Sequence, residues 1–206
     1  MEYHPTCHRQ GHNLSQTVDD GSGVRPGAYP PEVAPQPTRP CHIDGLLDLA
    51  AIVAQRIRMS DKVLAAKLGA SLPIDDAARE QQVIDRAVAV SRKVGLDPAI
   101  GTGFFRVQIE ASKLLQRGLH ALWSAHPGLA PAETPDLDRD VRPALDKLND
   151  QLLHRVNVTI TERRDKFCGC QIQRVVDVIT ASVADHWDSL HREALQVALA
   201  PIREWY

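Results

Sequence analysis

Apolar and polar positions alternate along this chain at helical spacing, and the informative ones are polar residues standing where leucines belong. Leu49, Val53, Arg56, Ser60, Val63 and Lys67 follow one another at steps of four, three, four, three and four. That spacing marks one stripe of a helix, the stripe that faces a protein interior. Two of its members are permanent cations, and an unpaired buried cation costs several kcal/mol. Something anionic is expected to meet Arg56 and Lys67.

The same periodicity predicts the elements. A first helix runs from Ile43 to about Leu68 and ends near Gly69, with Ser71, Leu72 and Pro73 as the break. A second starts around Asp75 or Asp76, where an aspartate can cap free amides, and runs to Val94 before Gly95 closes it. Asp97 followed by Pro98 opens a third, which continues to about Ala125, although Gly101 and Gly103 weaken its first turns. The stretch from His126 to Leu137, interrupted by Pro127, Pro131 and Pro135, reads as a linker or long loop. A fourth helix follows from about Asp138, with Val141, Leu145, Leu148 and Leu152 on one face. The last third, from Gln171 to Trp205, carries Ile172, Val175, Val176, Ile179, Val183, Trp187, Leu190 and Leu195 and reads as one or two more helices. Strand signals and sequence repeats are absent, so the fold class is all-α: a bundle of about six helices with a Pro-rich loop between two halves.

Composition agrees with this. The chain has 206 residues, 43% of them hydrophobic and 24% charged, which suits one substantial globular domain. Aromatics are only 4%, which favours helix on helix over a β-sandwich. A formal charge of −2 gives no footprint for nucleic acid, so a cationic cluster must be local and aimed at something small. No apolar run reaches the length of a membrane span. Residues 1–40, rich in Pro, Gly and His, read as an unstructured lead-in to a domain over residues 41–206. The lead-in holds no apolar h-region and is not read as a signal peptide. Its His4, Cys7, His8 and His12 fit no standard metal spacing, so no metal is expected. The four cysteines, Cys7, Cys41, Cys168 and Cys170, form no convincing framework, because Cys168 and Cys170 are parted by one glycine and no C-x-x-C pair occurs.

The third helix repeats the anomaly of the first. Phe105, Ile109, Ser112, Gln116, Leu119 and Trp123 share its spacing, so a hydroxyl and an amide project into a core seam one turn apart. The second helix opens with Asp76, Arg79 and Glu80, and an arginine near a helix start opposes the macrodipole. Each feature alone has a bland reading: a snorkelling arginine, a serine bonded to a backbone carbonyl, a solvated first turn. Together, on three consecutive helices, they would line a polar cavity that binds a small dianion.

Arg56, Lys67 eleven residues on, the Asp76, Arg79 and Glu80 cluster, and IEASKLLQ with its Ser112 and Gln116 resemble the all-helical, type II-like chorismate mutase family. The likeness spans about Asp44 to Leu122, and LPIDD and GLDP add to it. The resemblance makes residues 43–126 the catalytic helices and residues 138–206 a second helical half. It is nearest to the larger secreted or periplasmic subclass, in which the site lies within one chain and an arginine comes from a helix after a Pro-rich loop. In PDLDRDVRPALDKLNDQLL that match is Arg142, with Arg139 as the second choice. Three features depart from the subclass: Ser112 and Gln116 stand where it has Thr and Glu, no cysteine follows Cys168 and Cys170 to complete a disulfide, and a leader is missing. The subclass points to export, whereas the start as given points to the cytoplasm.

The resemblance implies an isomerase that converts chorismate to prephenate by a Claisen rearrangement, in the biosynthesis of phenylalanine and tyrosine, with no cofactor. It implies that Arg56 and Arg142 grip the two substrate carboxylates and that Arg79, with Asp76 and Glu80, orders the ring and its hydroxyl. Lys67 and Gln116 would donate to the ether oxygen, and Ser112 would touch a carboxylate. Because a glutamine donates at any pH, kcat/KM is expected to be nearly flat from mildly acid to mildly alkaline. The implied partner is chorismate, with neither nucleic acid nor membrane, and the implied assembly is a homodimer. An isochorismate pyruvate lyase on the same fold and a non-catalytic chorismate-binding helical module remain as alternatives.

Overall fold

Helix α1 runs unbroken from Ile43 to Gly69, because nothing between these residues is a proline and its apolar stripe has helices to lie against. The computed structural model describes residues 43–162, 175, 177–182 and 187–204. The lead-in, the His4, Cys7, His8 and His12 group, all four cysteines, and Ile172, Val176, Val183 and Trp205 lie outside the described residues. Helix α2 spans Ala77–Val94 and is closed at both ends by its own sequence. The Asp76 carboxylate accepts the Arg79 amide at 3.0 Å, and Gly95 takes the left-handed φ of 78° that an L side chain resists. The Leu96 amide then reaches back to the Ser91 carbonyl at 2.9 Å, completing the cap.

Helix α3 spans Pro98–Ala125. Asp97 accepts the Ala99 amide at 2.8 Å, and Pro98 fills the first turn, where its missing N–H is no loss. Gly101, a weak helix former, has a packing reason: a Cβ there would stand 2.1 Å from Ser91 Oγ, so the glycine lets α3 approach α2. Beyond Ala125 the Pro-rich stretch contains one 3₁₀ turn, Pro127–Leu129. The chain re-enters helix through a wide π-type turn, Leu137–Val141, capped by Asp136, before α4 runs over Arg142–Glu162. Pro143 in the first turn of α4 has no N–H to donate, which suits the irregular entry. Helical residues 177–182 form α5, and α6 spans Ser189–Glu204. No strand occurs among the described residues, and no described helix is long and apolar enough to cross a membrane.

Side-chain pairs give the helix directions. Arg56 meets Gln108 and Ser60 meets Ser112, so α1 and α3 run the same way. Arg79 meets Asp146 and Arg86 meets Asp150, so α2 and α4 also run together, while the Asp48–Arg155 pair sets α4 against α1. Helix α3 is central, packed on α1, α2 and α6. The core holds Leu49, Val53, Ile57 and Leu64 from α1, Phe104, Phe105 and Leu115 from α3, Leu152 and Leu153 from α4, and Leu195 and Leu199 from α6. The buried face of α4 differs by one step from the expected stripe. Leu148 is half-buried, and Asn149 takes the seam position beside it.

Candidate active site

All six members of the α1 stripe are buried, including Arg56 at 5% and Lys67 at 8% exposure. The Arg56 guanidinium is held by neutral groups: Nε donates to Asn149 Oδ1 at 3.0 Å and Nη1 to the Gln108 carbonyl at 2.7 Å. Its Cζ lies 6.0 Å from the centre of the Phe105 ring, within cation–π reach. No carboxylate pairs with it among the described residues. Burial lowers its pKa to about 10, so it is still a cation at neutral pH. The anion expected from the sequence is therefore not supplied to Arg56 by the described chain.

One turn along α1, Ser60 Oγ lies 2.8 Å from Ser112 Oγ, and Gln116 Nε2 donates to Ser112 Oγ at 3.0 Å. Gln116 Oε1 is buried with no partner among the described residues. Such an orphan acceptor normally finds a ligand or a water. Two turns beyond Ser60, Lys67 Nζ donates to the Ile74 carbonyl at 2.5 Å. Its pKa is lowered first by burial; Asp76 and Glu80 oppose this, and Arg142 adds to it.

The rim comes from the start of α2 and from α4. Arg79 Nη2 meets Asp146 Oδ1 at 2.6 Å, which gives this arginine a carboxylate against the unfavourable helix N-terminus. Arg142 pairs with Asp138 and lies 3.7 Å from Asp76 Oδ2. Lys113 meets Glu110 at 2.7 Å and both Glu80 and Asp75 at 3.3 Å.

These groups converge. Arg56, Lys67, Asp76, Arg79, Glu80, Ser112, Gln116 and Arg142, the eight residues singled out in the sequence, all line one cavity. Arg139 does not: its side chain is 78% exposed and paired with Asp140 at 3.0 Å. Asn149 and Lys113 line the cavity too, and the sequence reading missed both. Asn149 had a signal, since it stands four residues after Leu145, the same wrong-residue-in-the-stripe pattern as Ser112. Lys113, next to Ser112, had none. Val63, Ile74, Val83, Ile109, Leu137 and Leu145 supply apolar wall.

Five cations and two carboxylates line the cavity, and Arg79, Lys113 and Arg142 have carboxylate partners, whereas Arg56 has none among the described residues and can take an anion; the apolar wall suits a carbon ring. Among the described residues the wall contains no histidine or cysteine, and its one hydroxyl, on Ser112, is tied to Ser60 and Gln116 rather than to a base. Such a wall can hold a dianion and stabilise developing charge, and none of its described side chains is an activated nucleophile.

Comparison with known proteins agrees. Residues 47–117 match the family model "Chorismate mutase type II". The chain is 33% identical over 158 residues to a secreted chorismate mutase of Mycobacterium tuberculosis, covering 75% of this chain and 78% of that protein. It is 30% identical over 153 residues to a secreted chorismate mutase of Mycolicibacterium smegmatis, covering 74% of this chain and 83% of that protein. The crystal structure of a chorismate mutase from Burkholderia thailandensis superposes with a TM-score of 0.71 at 30% identity, covering 77% of this chain and 98% of that one.

Proposed function

The chain belongs to the chorismate mutase family, and from that premise we propose that the cavity between α1, α3 and the rim of α2 and α4 is where it isomerises chorismate to prephenate. The reaction is unimolecular: the ether C–O bond breaks as a C–C bond forms, and negative charge grows on the ether oxygen. The protein's task is to hold the reactive conformer and to meet that charge with fixed donors.

Arg56 Nη2, which donates to no described residue, is directed at one substrate carboxylate. Arg142, held by Asp138 and Asp76, takes the other from the loop side. Arg79, anchored on Asp146, orders the ring, with Asp76 and Glu80 toward the hydroxyl. Ser112 completes the carboxylate contacts. Lys67 Nζ and the second N–H of Gln116 Nε2 flank the ether oxygen, the first as a cation and the second as a neutral donor.

The observation that carries this reading is Arg56: a buried, charged guanidinium held, among the described residues, by neutral acceptors, on the wall of a cavity shared with Lys67 and Gln116. The eight residues assigned here all belong to this chain, and the homodimer is a separate proposal that sedimentation of the purified chain checks. The function is tested by supplying chorismate and isochorismate separately. Prephenate from chorismate is expected. Salicylate with pyruvate from isochorismate, and no prephenate, would replace it by the lyase, which the named relatives do not favour. Chorismate binding without turnover would replace it by a binding module.

A further inference from the structure

Three arginines reach the cavity, and helix α4 treats them differently. It offers the Asp146 carboxylate to Arg79 at 2.6 Å, and one turn on it offers Asp150 to Arg86 of the same helix α2 at 2.6 Å. Arg142 draws on Asp138 and Asp76. Between Asp146 and Asp150, on the same helix, Asn149 turns into the seam and offers Arg56 a carboxamide at 3.0 Å. Asn149 is 4% exposed and occupies a position where an apolar residue would otherwise pack. The second holder of Arg56 is also neutral, the backbone carbonyl of Gln108, whose side chain ties α3 to the Ala198 carbonyl of α6 at 2.7 Å.

We infer that Asn149 is a positioning residue for the reaction proposed above, fixing the Arg56 guanidinium through Nε while leaving its charge unspent for a substrate carboxylate; the inference rests on that functional reading. A carboxylate in the same place would accept the same hydrogen bond with nearly the same shape. It would also neutralise Arg56 in a site shielded from water, where opposite charges bind each other most strongly, and would repel the incoming dianion. An apolar residue would leave Nε without a partner and the guanidinium free to re-aim. Of the three, only a neutral acceptor both orients the cation and preserves its field. The amide is thus selected for what it withholds: α4 supplies carboxylates to the arginines it immobilises, and an amide to the one it keeps ready to bind.

Two variants of the full chain test this, Asn149→Asp and Asn149→Ala, with kcat and KM for prephenate formation, calorimetric affinity for prephenate, and thermal melting measured on each. Asn149→Asp is expected to melt at or above the wild-type temperature, to raise KM and the prephenate Kd by about 10- to 100-fold, and to change kcat less than KM. Asn149→Ala adds no charge and is expected to raise KM by only about three- to tenfold. A merely structural asparagine gives the opposite order, with the truncation worse than the near-isosteric aspartate. The inference is overturned if Asn149→Asp leaves KM and Kd within about twofold of wild type, or if Asn149→Ala does the greater damage to binding. Should Asn149→Asp fail to fold, an unchanged KM in Asn149→Ala overturns it alone. A wild-type chain that makes no prephenate would strike the functional reading and this inference together, whereas an active wild type beside an unaffected aspartate variant strikes this inference only.

Discussion

Replacing Arg56 by methionine together with Asn149 by leucine separates what the fold prefers from what the reaction needs. Burial lowers the Arg56 pKa to about 10, well below that of a free guanidinium, so charging this group costs the folded state about 3 kcal/mol. The folded pKa lies below the unfolded one, and the group is protonated in both states at neutral pH. The penalty is therefore fully present at neutrality and is relieved only as pH climbs through about 10 and beyond. The double substitution removes it, and also removes two hydrogen bonds, to Asn149 and to the Gln108 carbonyl, each worth about 1 kcal/mol net. Changing both partners leaves no orphan amide behind, and the Gln108 carbonyl lies within α3. The balance is a gain of about 1 kcal/mol, or a melting temperature about 2–4 °C higher for a chain of this size. Prephenate formation should fall at least about 1,000-fold, because the principal carboxylate anchor is gone. Urea unfolding and a prephenate assay on the same preparation decide the matter. A variant that is clearly less stable yet turns over at near wild-type rate would make Arg56 a structural cation instead.

Gln116→Glu should give the enzyme an acid-side pH profile, because a carboxyl donates to the ether oxygen only when protonated. The wild type should stay flat until Lys67, its pKa lowered by burial, loses its proton on the alkaline side, earlier than an exposed lysine would; a wild-type kcat/KM that falls steeply near neutrality would remove Gln116 from the ether oxygen. Arg142→Ala should raise KM by about 10-fold or more, whereas Arg139→Ala should leave the kinetics unchanged, because Arg139 pairs with Asp140 away from the cavity; equal effects of the two would undo the assignment. His191 joins α6 to α1 through Asp61 at 3.0 Å and also meets Asp188 at 2.8 Å, contacts that raise its pKa from 6.5 to about 9. Its stabilisation is complete below pH 6.5 and is lost as pH rises through about 9. Allowing for the water around both carboxylates, wild type should lose about 2 kcal/mol across that window and His191→Ala should not, as urea titrations at the two ends would show.

The helix ends were legible because each is written in local chemistry: Asp76 and Gly95 around α2, and Asp97 with Pro98 before α3. The cavity was legible for a different reason. Charged and polar residues at Arg56, Ser60, Lys67, Ser112 and Gln116 break an otherwise apolar stripe, and a stripe fixes direction even when its partner is unknown. Asn149 escaped because a period of 3.6 allows a step of three or four, and Leu148 offered an apolar residue at the step of three. The structure takes the other step. The wide turn at Leu137–Val141 was not visible either, since its backbone bonding depends on how the Pro-rich loop meets α4. Nor could periodicity show that Asp146 would serve Arg79, or Glu80 serve Lys113, because each pair joins two different helices and a period within one helix does not say which residue of another it meets.

The buried cations of α1 are proposed to act on chorismate, with Lys67 assigned to the transition state. Prephenate formation by Lys67→Ala, measured beside wild type over a range of chorismate concentrations, tests this most directly. Loss of one preorganised donor at the breaking bond removes about 3–4 kcal/mol of barrier lowering, so kcat should fall about 100- to 1,000-fold with KM changed far less. A variant that folds and keeps its kcat would contradict the account.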